Sequence, residues 1–156
     1  FCVRIILMDK VFIANGISQT QKVARDLAKQ IIRLKNKKAT IIGLIGELGS
    51  GKTTFVQGFA KALGIKKRVI SPTFIIEKIY ALRVSRFSHL IHIDAYRISK
   101  PKEIINLEWK DLIRKPGNII IIEWADKIKK ILPKKYIQIN FRHKDKNKRW
   151  IKIKKF

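Results

Sequence analysis

Apolar residues near the start of the chain recur at the spacing of a helix face. The residues that share this face are Val23, Leu27, Ile31 and Leu34. They lie three or four positions apart, which predicts an amphipathic helix. Ser18 and Gln21 precede most of them in the order of a capping box, in which each side chain binds a free backbone N–H group. The sequence therefore predicts a helix that begins at Ser18.

Other apolar stretches are short and bounded by turn residues, which predicts strands. The predicted strands are residues 11–14, 39–45, 74–80, 90–94, 119–122, 136–141 and 150–154. Residues 119–122 are all isoleucine, which is typical of a strand buried on both faces. The last two strands alternate apolar and polar residues, so they are expected to form a hairpin that turns at residues 145–148. The strands at 74–80 and 90–94 are joined too closely for a helical crossover, which favours antiparallel pairing.

Further helical patterns lie between the strands. They cover residues 54–63, 99–112 and about 125–132. Gly64 is placed to end the first of these helices as a left-handed cap. Strands that alternate with helices in this way predict an α/β fold.

Residues 46–53 carry the strongest single motif in the chain. They read Gly-Glu-Leu-Gly-Ser-Gly-Lys-Thr, which fits the phosphate-loop pattern G-x-x-x-x-G-K-[ST] between a strand and a helix. Glycines let successive N–H groups point at phosphates, and the helix adds the positive end of its dipole. Lys52 is expected to bind the outer phosphates and Thr53 to ligate magnesium. The motif predicts nucleoside triphosphate binding by a P-loop NTPase-like three-layer fold, with a mixed parallel and antiparallel sheet and a C-terminal β-hairpin.

Two acidic residues follow predicted strands directly. Asp94 closes the strand at 90–94, and Glu123 comes after the four isoleucines. Ligands of open α/β sheets bind at the carboxyl ends of the strands, where these acids could hold Mg²⁺ and orient an attacking water. The sequence does not decide which of the two lies nearer the metal. Thr73 follows Pro72 and is either a nucleotide-sensing hydroxyl or a turn residue that binds its own backbone.

The chain is strongly basic. It has 36 Lys and Arg against 11 Asp and Glu, a net charge of +25, and residues 127–156 alone carry +12. A basic chain of this kind favours a nucleic-acid partner. However, 26 lysines and 30 isoleucines, against only 10 arginines, are equally the mark of an A/T-rich genome. Both explanations stay open at this stage.

The length of 156 residues predicts a single domain, residues 1–156. No apolar run approaches the roughly 20 residues of a membrane span, so no membrane partner is expected. The opening apolar residues are interrupted by Asp9, which argues against a secretion signal. Cys2 is the sole cysteine, which excludes an internal disulfide. We expect a cytoplasmic protein.

Four motifs together resemble the bacterial TsaE family. They are residues 46–54, Ser-Pro-Thr-Phe at 71–74, His-Ile-Asp-Ala-Tyr-Arg at 92–97 and Glu-Trp at 123–124. Their order and spacing are similar to those of the family over roughly residues 15–140. One departure lies at residues 106–109, where the family often has a glycine and this chain has none.

The resemblance implies a small ATPase that binds ATP and Mg²⁺ and works with the partner proteins TsaB and TsaD. In that family TsaB and TsaD, together with the threonylcarbamoyl-adenylate synthase, form threonylcarbamoyladenosine in tRNA, the substrate of the complex. The resemblance implies that the ATPase does not itself make the modification and that its ATP cycle resets TsaB–TsaD between turnovers. By position, the implied catalytic and metal residues are Lys52, Thr53, Asp94 and Glu123. The implied ATP-binding residues are Glu47, Leu48, Gly49, Ser50, Gly51, Lys52, Thr53, Thr54, Thr73 and Trp124.

Two other functions compete with this one. A small-metabolite kinase would need a lid with arginines, for which residues 82–86 are the sole candidate. A non-enzymatic, ATP-gated RNA-binding module would make use of the basic C-terminal stretch. Arg97 is the only candidate arginine finger, and it is a weak one, so we expect the isolated chain to hydrolyse ATP slowly.

Overall fold

Seven strands form one mixed sheet in the computed structural model, which describes residues 9–155. The strands are β1 Lys10–Asn15, β2 Thr40–Ile45, β3 Glu77–Val84, β4 Phe87–Asp94, β5 Asn118–Glu123, β6 Ile137–His143 and β7 Lys148–Lys155. Their order across the sheet is β1-β7-β6-β2-β5-β4-β3. The β2–β5, β2–β6 and β4–β5 pairs are parallel, and the outer pairs are antiparallel. The predictions for the opening segment and for Cys2 fall outside the described residues.

Helices cover both faces of the central strands. They are α1 Gly16–Ile31, α2 Lys52–Ala62, α3 Lys102–Ile105, α4 Trp109–Arg114 and a 3₁₀ helix at Ala125–Ile128. On one face α1 and α2 pack in a cluster with Ile42 and Leu44 of β2, whereas α3, α4 and the 3₁₀ helix share a second cluster with Ile41. The predicted three-layer α/β fold with a mixed sheet is confirmed. The C-terminal hairpin is also confirmed, and through β6 it extends the main sheet.

The four isoleucines of β5 form the middle of both hydrophobic layers. Ile119 and Ile121 pack in the cluster of α1 and α2, while Ile120 and Ile122 pack in the cluster on the opposite face. All four side chains are fully buried. Because β5 is paired with a parallel neighbour on each side, the strand has no open edge. Its isoleucines are also shielded from water on both faces of the sheet. The predicted burial on both faces is confirmed.

The predicted start of the first helix is wrong. Strand β1 continues to Asn15, which pairs with Lys148 and keeps an extended backbone, so α1 begins directly at Gly16. Ser18 is therefore an exposed residue inside the helix and cannot cap it. The capping contact comes from Gln19 instead, whose Oε1 accepts a hydrogen bond of 2.7 Å from the Asn15 N–H.

Two turns differ from the sequence-based prediction. Residues 74–76 form a turn, in which Ile76 has a φ of 65°, so β3 begins only at Glu77. Strands β3 and β4 do pair in antiparallel orientation, as predicted, but a two-residue turn at 85–86 joins them. The predicted link was longer because β3 extends past residue 80 to Val84 and β4 begins at Phe87 instead of residue 90.

The predicted helix at 99–112 is divided into α3 and α4. Glu108 takes a φ of 55°, a left-handed conformation that glycine adopts with less strain. This turn buries Trp109, whose indole N–H donates to the Ile131 carbonyl at 3.2 Å. The break falls within residues 106–109, where this chain lacks the glycine that is frequent in the family it resembles. The helix predicted at 125–132 is also shorter than expected and ends at Ile128.

Gly58 provides a test of how α1 and α2 pack. A Cβ atom at Gly58 would lie 2.7 Å from the Cα atom and 2.8 Å from the carbonyl oxygen of Gln21. We expect Gly58→Ala to force the helices apart and lower the free energy of unfolding by about 1–3 kcal/mol, since both clashing atoms belong to backbone. Urea denaturation measures this loss. In the control Lys61→Ala, on the exposed side of α2, the change should stay within about 0.5 kcal/mol; an equal loss in both variants contradicts the packing argument.

Candidate nucleotide site

The phosphate loop lies between β2 and α2, at residues 46–51. Gly49 and Gly51 have φ angles of 73° and 101°, which glycine adopts without strain. Gly51 is also the N-cap of α2 and has no side chain to bind the free N–H groups of the first helical turn. A Cβ atom at Gly46 would lie 2.7 Å from the Phe141 carbonyl oxygen, so the loop also needs glycine there. The loop thus leaves its N–H groups available to an anion.

Lys52 is buried at the start of α2, with only 5% of its surface exposed. Its ammonium group donates hydrogen bonds to the carbonyls of Gly46 at 2.6 Å and Glu47 at 2.8 Å. It also lies 3.9 Å from the centroid of the Trp124 ring, a cation–π contact. Burial lowers the pKa of Lys52, and the nearby Glu123 and two aspartates oppose this effect. The loop therefore holds a buried cation whose carbonyl contacts a phosphate could replace.

The parallel register of β4 and β5 places the two predicted acids side by side. Asp94 is the direct partner of Glu123, so their side chains lie on the same face of the sheet. The Thr53 hydroxyl lies 2.9 Å and 3.0 Å from the two carboxylate oxygens of Glu123, and both acids are almost fully buried. The predicted metal residues are thus brought together, and Glu123 is the acid bonded to Thr53.

His92 is a neighbour of Glu123 to which the sequence analysis gave no role. Its Nε2 atom lies 2.9 Å from Glu123 Oε1, and the ring is fully buried. The Nδ1 atom has no hydrogen-bond partner among residues 9–155. A polar residue inside an apolar strand, two positions before Asp94 and so on its face, was the available signal. His92 and Thr53 together fix the Glu123 carboxylate.

Asp94 is bound by the turn that precedes β3. Its Oδ2 atom accepts a hydrogen bond of 2.8 Å from the Thr73 hydroxyl and a second one from the Ser71 hydroxyl. Its Oδ1 atom accepts the Tyr96 N–H at 2.8 Å. Thr73 therefore does more than bind its own backbone. Ser71 was not predicted as a site residue, although a second hydroxyl beside Pro72 was a visible signal.

These groups surround one cavity of about 350 Å³. Its lining residues are Leu48, Gly49, Gly51, Lys52, Thr53, Thr54, Ser71, Thr73, Asp94, Tyr96, Glu123 and Trp124. Two predicted residues do not line it: the Glu47 side chain is exposed, and Ser50 is buried within the loop, where its hydroxyl has no partner among the described residues. Tyr96, which was not predicted as a site residue, lines the cavity, and so does Trp124.

The predicted arginines lie outside this cavity lining. The Arg97 guanidinium carbon stacks 4.3 Å from the centroid of the exposed Phe74 ring. The proposed kinase lid at 82–86 forms the end of β3 and the turn into β4. Lys52 is thus the one cation among the described residues that line the cavity.

The residues present fit a nucleotide with a divalent cation. The cavity volume is within the usual range of small-molecule sites, roughly 300–1,000 Å³. Hydroxyl and carboxylate oxygens, which Thr53, Glu123 and Asp94 offer, are the ligands that Mg²⁺ prefers. No cluster of three or more His, Cys, Asp or Glu residues suited to a metal occurs within residues 9–155. A cation here would therefore share its ligand shell with phosphate oxygens.

Comparison with known proteins identifies the family of the chain. The family model for the threonylcarbamoyl adenosine biosynthesis protein TsaE matches residues 15–151. The chain belongs to the TsaE family. The TsaE protein of Aquifex aeolicus is 35% identical over 111 residues, which cover 65% of this chain and 77% of that protein. The Bacillus subtilis TsaE protein is 44% identical over 72 residues, or 46% of this chain and 44% of that protein.

Other matches extend this relationship to the TsaE fold. The TsaE protein of Streptomyces coelicolor is 37% identical over 75 residues, 48% of this chain and 49% of its own length. The match therefore spans about half the length of several curated relatives. The crystal structure of Bacillus subtilis YdiB superposes with a TM-score of 0.70 and 28% identity, covering 94% of this chain and 85% of that one. Within residues 9–155, no helix is long and apolar enough to cross a membrane.

The Thr73–Asp94 contact predicts a stability effect. Thr73→Val keeps the shape of the side chain but removes one donor from a buried carboxylate. We expect the free energy of unfolding to fall by about 1–3 kcal/mol, the usual cost of losing a hydrogen bond to a charged group. Thr54→Val is the matched control, because Thr54 lines the same cavity and its hydroxyl makes no hydrogen bond within residues 9–155. Thermal or urea unfolding compares the two; a loss confined to Thr54→Val would contradict the assignment.

Proposed function

We propose that this TsaE-family chain is a Mg²⁺-dependent ATPase that supports threonylcarbamoyladenosine modification of tRNA together with TsaB and TsaD. The observation that carries the proposal is the contact between Thr53 and Glu123. It joins the first turn of the phosphate-loop helix to the end of the central strand. This is the place where a magnesium-bound triphosphate would need both a hydroxyl and a carboxylate.

Each residue of the site has a distinct task in this proposal. Lys52 and the N–H groups at the start of α2 bind the phosphates, and Thr53 holds the metal. Glu123, fixed by His92, orients the attacking water, and Asp94 ties the turn at 71–73 to the site. The bound magnesium would neutralise charge that develops on the phosphate oxygens. Trp124 packs its ring against the Lys52 ammonium and so helps to keep it in position.

The isolated chain is expected to be a slow ATPase. Arg97 is held over Phe74 and, in this arrangement, contributes no charge to the cavity, so Lys52 acts without a second cation there. A missing arginine finger costs roughly 10³–10⁵ in rate, and phosphate-loop GTPases without one turn over at about 10⁻⁴–10⁻³ s⁻¹. TsaB and TsaD would stimulate hydrolysis by supplying the second cation that the described cavity lining lacks. We place this activity in one domain, residues 1–156, in the cytoplasm.

Lys52 provides the direct test of nucleotide binding. Lys52→Met keeps the length of the side chain but removes the charge that is to bind the outer phosphates. We expect ATP affinity, measured by titration calorimetry with Mg²⁺, to fall at least about 100-fold, or about 2.7 kcal/mol, the size of a lost buried charge contact. Lys61→Met, which removes an exposed cation from the same helix, is the control and should bind ATP normally. Normal binding by Lys52→Met would refute the site.

The rate of ATP hydrolysis, measured for the purified chain alone and with TsaB and TsaD added, tests the slow-ATPase proposal. Phosphate release should stay near 10⁻⁴–10⁻³ s⁻¹ for the chain alone, by the scale of finger-less GTPases, and rise when TsaB and TsaD are added. A turnover above about 1 s⁻¹ without partners would contradict the proposal. Pull-down with TsaB and TsaD, with and without ATP, should retain both proteins in at least one nucleotide state. Transfer of phosphate to nucleosides or sugars would instead favour a kinase.

A further inference from the structure

Among residues 9–155, no helix packs on one face of the sheet where β1, β7 and β6 lie together. The buried alternate residues of these strands, such as Ile139, Ile151 and Ile153, pack in the cluster of α1 and α2. The intervening residues lie on the opposite face, which we call the outer face. Its residues of interest are Val11, Ile13, Arg142, Trp150, Lys152 and Lys154. The short helices on that side pack against β2, β4 and β5 instead.

The strand register brings cations and apolar groups of the outer face into contact. Trp150 lies between Ile13 of β1 and Arg142 of β6, and the Arg142 guanidinium carbon lies 5.4 Å from the centroid of the Trp150 ring. Lys152, one step further along the same face, is the partner of Val11. Three strands thus form a surface about 10 Å wide, with an aromatic ring at its centre and cations beside it.

The apolar groups of this surface are open to solvent. Val11 is 52% exposed and Ile13 is 44% exposed, and Trp150 and Lys152 are each partly exposed. Isolated exposed residues are ordinary, but here they adjoin one another on a single uncovered sheet face. Such a surface is suited to a partner that has apolar groups of its own.

The charge of the same strands restricts the chemistry of that partner. Strands β1, β6 and β7 contain seven Lys and Arg residues and no Asp or Glu, and the strand alternation places four of the seven, Arg142, Lys148, Lys152 and Lys154, on the outer face. The nearest acid of the hairpin, Asp145, lies in its turn, where its carboxylate accepts two backbone N–H groups and pairs with Lys148 at 3.4 Å. The surface therefore attracts a polyanion and has no acidic residue on its strands to repel one.

We propose that the outer face is a binding site for single-stranded RNA. Bases stack on Trp150 and lie against Val11 and Ile13, while Arg142, Lys152 and Lys154 bind the phosphates. Sheets that bind single-stranded nucleic acid use this combination of an aromatic platform and basic neighbours. An A/T-rich genome would account for the number of lysines, but not for the position of a partly exposed tryptophan between Ile13 and Arg142, with Lys152 and Lys154 on the same face. The site goes beyond the proposed ATPase function and does not require nucleotide.

The test is fluorescence anisotropy with a labelled single-stranded RNA of about 12 nucleotides and mixed sequence, without ATP. We expect Trp150→Ala to weaken binding at least about fivefold, the lower bound for a lost base stack, while Trp150→Phe keeps most of the affinity. The double variant Lys152→Ala/Lys154→Ala should reduce the salt dependence by about 1.4 in log–log slope, as expected for two lost phosphate contacts. Circular dichroism and urea unfolding check that each variant folds.

A matched control separates a defined site from general charge. Lys29→Ala/Lys61→Ala removes two exposed cations from α1 and α2 and should leave affinity nearly unchanged. Equal losses in the two double variants would overturn the proposal and favour a non-specific effect of the +25 charge. The proposal would also be overturned if the unaltered chain did not bind RNA, or if sedimentation showed a dimer that Trp150→Ala dissociates. If Trp150→Ala does not fold, Trp150→Phe and the lysine pair still decide the question. ATP titration of the same variants keeps this outcome distinct from a failure of the nucleotide site.

Discussion

The site depends on one arrangement, the parallel pairing of β5 with β2 on one side and β4 on the other. Parallel strands end at a common edge, so Glu123 of β5, Asp94 of β4 and the loop after β2 meet there without any further device. The isoleucines of β5 hold this arrangement, because they are buried on both faces and connect the two hydrophobic layers. The packing of the core and the geometry of the site therefore have the same origin.

Four ionisable groups, which are costly to bury, lie at this carboxyl edge of the parallel strands. Lys52, His92, Asp94 and Glu123 are each at most 5% exposed, and burial lowers the pKa of Lys52. An unpaired buried charge would destabilise the fold by several kcal/mol, roughly 3–5 when one partner is missing. Here the carbonyls of the loop satisfy the ammonium, and hydroxyls satisfy both carboxylates. The same contacts keep the groups in position for a ligand that would replace some of them.

Local sequence signals predicted the parts of the structure that depend on local chemistry. The phosphate loop, the isoleucine strand and the acids at strand ends follow from spacing and hydrophobicity, and the family resemblance is confirmed by the comparisons. The start of α1 and the break at Glu108 do not follow, because each is set by distant packing: the pairing of Asn15 with Lys148, and the burial of Trp109. His92 and Ser71 acquire their roles only when strands bring them to an acid. Such roles can be predicted only when the pairing register of the strands is known, and composition and periodicity do not determine that register.

Strand β6 contacts the phosphate loop with one face and contributes to the outer face with the other. On one face its Phe141 ring packs edge-to-face against Phe55 of α2 at 5.6 Å, and its backbone approaches Gly46 of the phosphate loop. The next residue, Arg142, lies on the outer face beside Trp150. Because β6 is hydrogen-bonded to β2 on one side and β7 on the other, it cannot shift without disturbing both ladders. The phosphate loop and the outer face are thus held at a fixed spacing by a single rigid strand, so a ligand on either one meets a surface already in place.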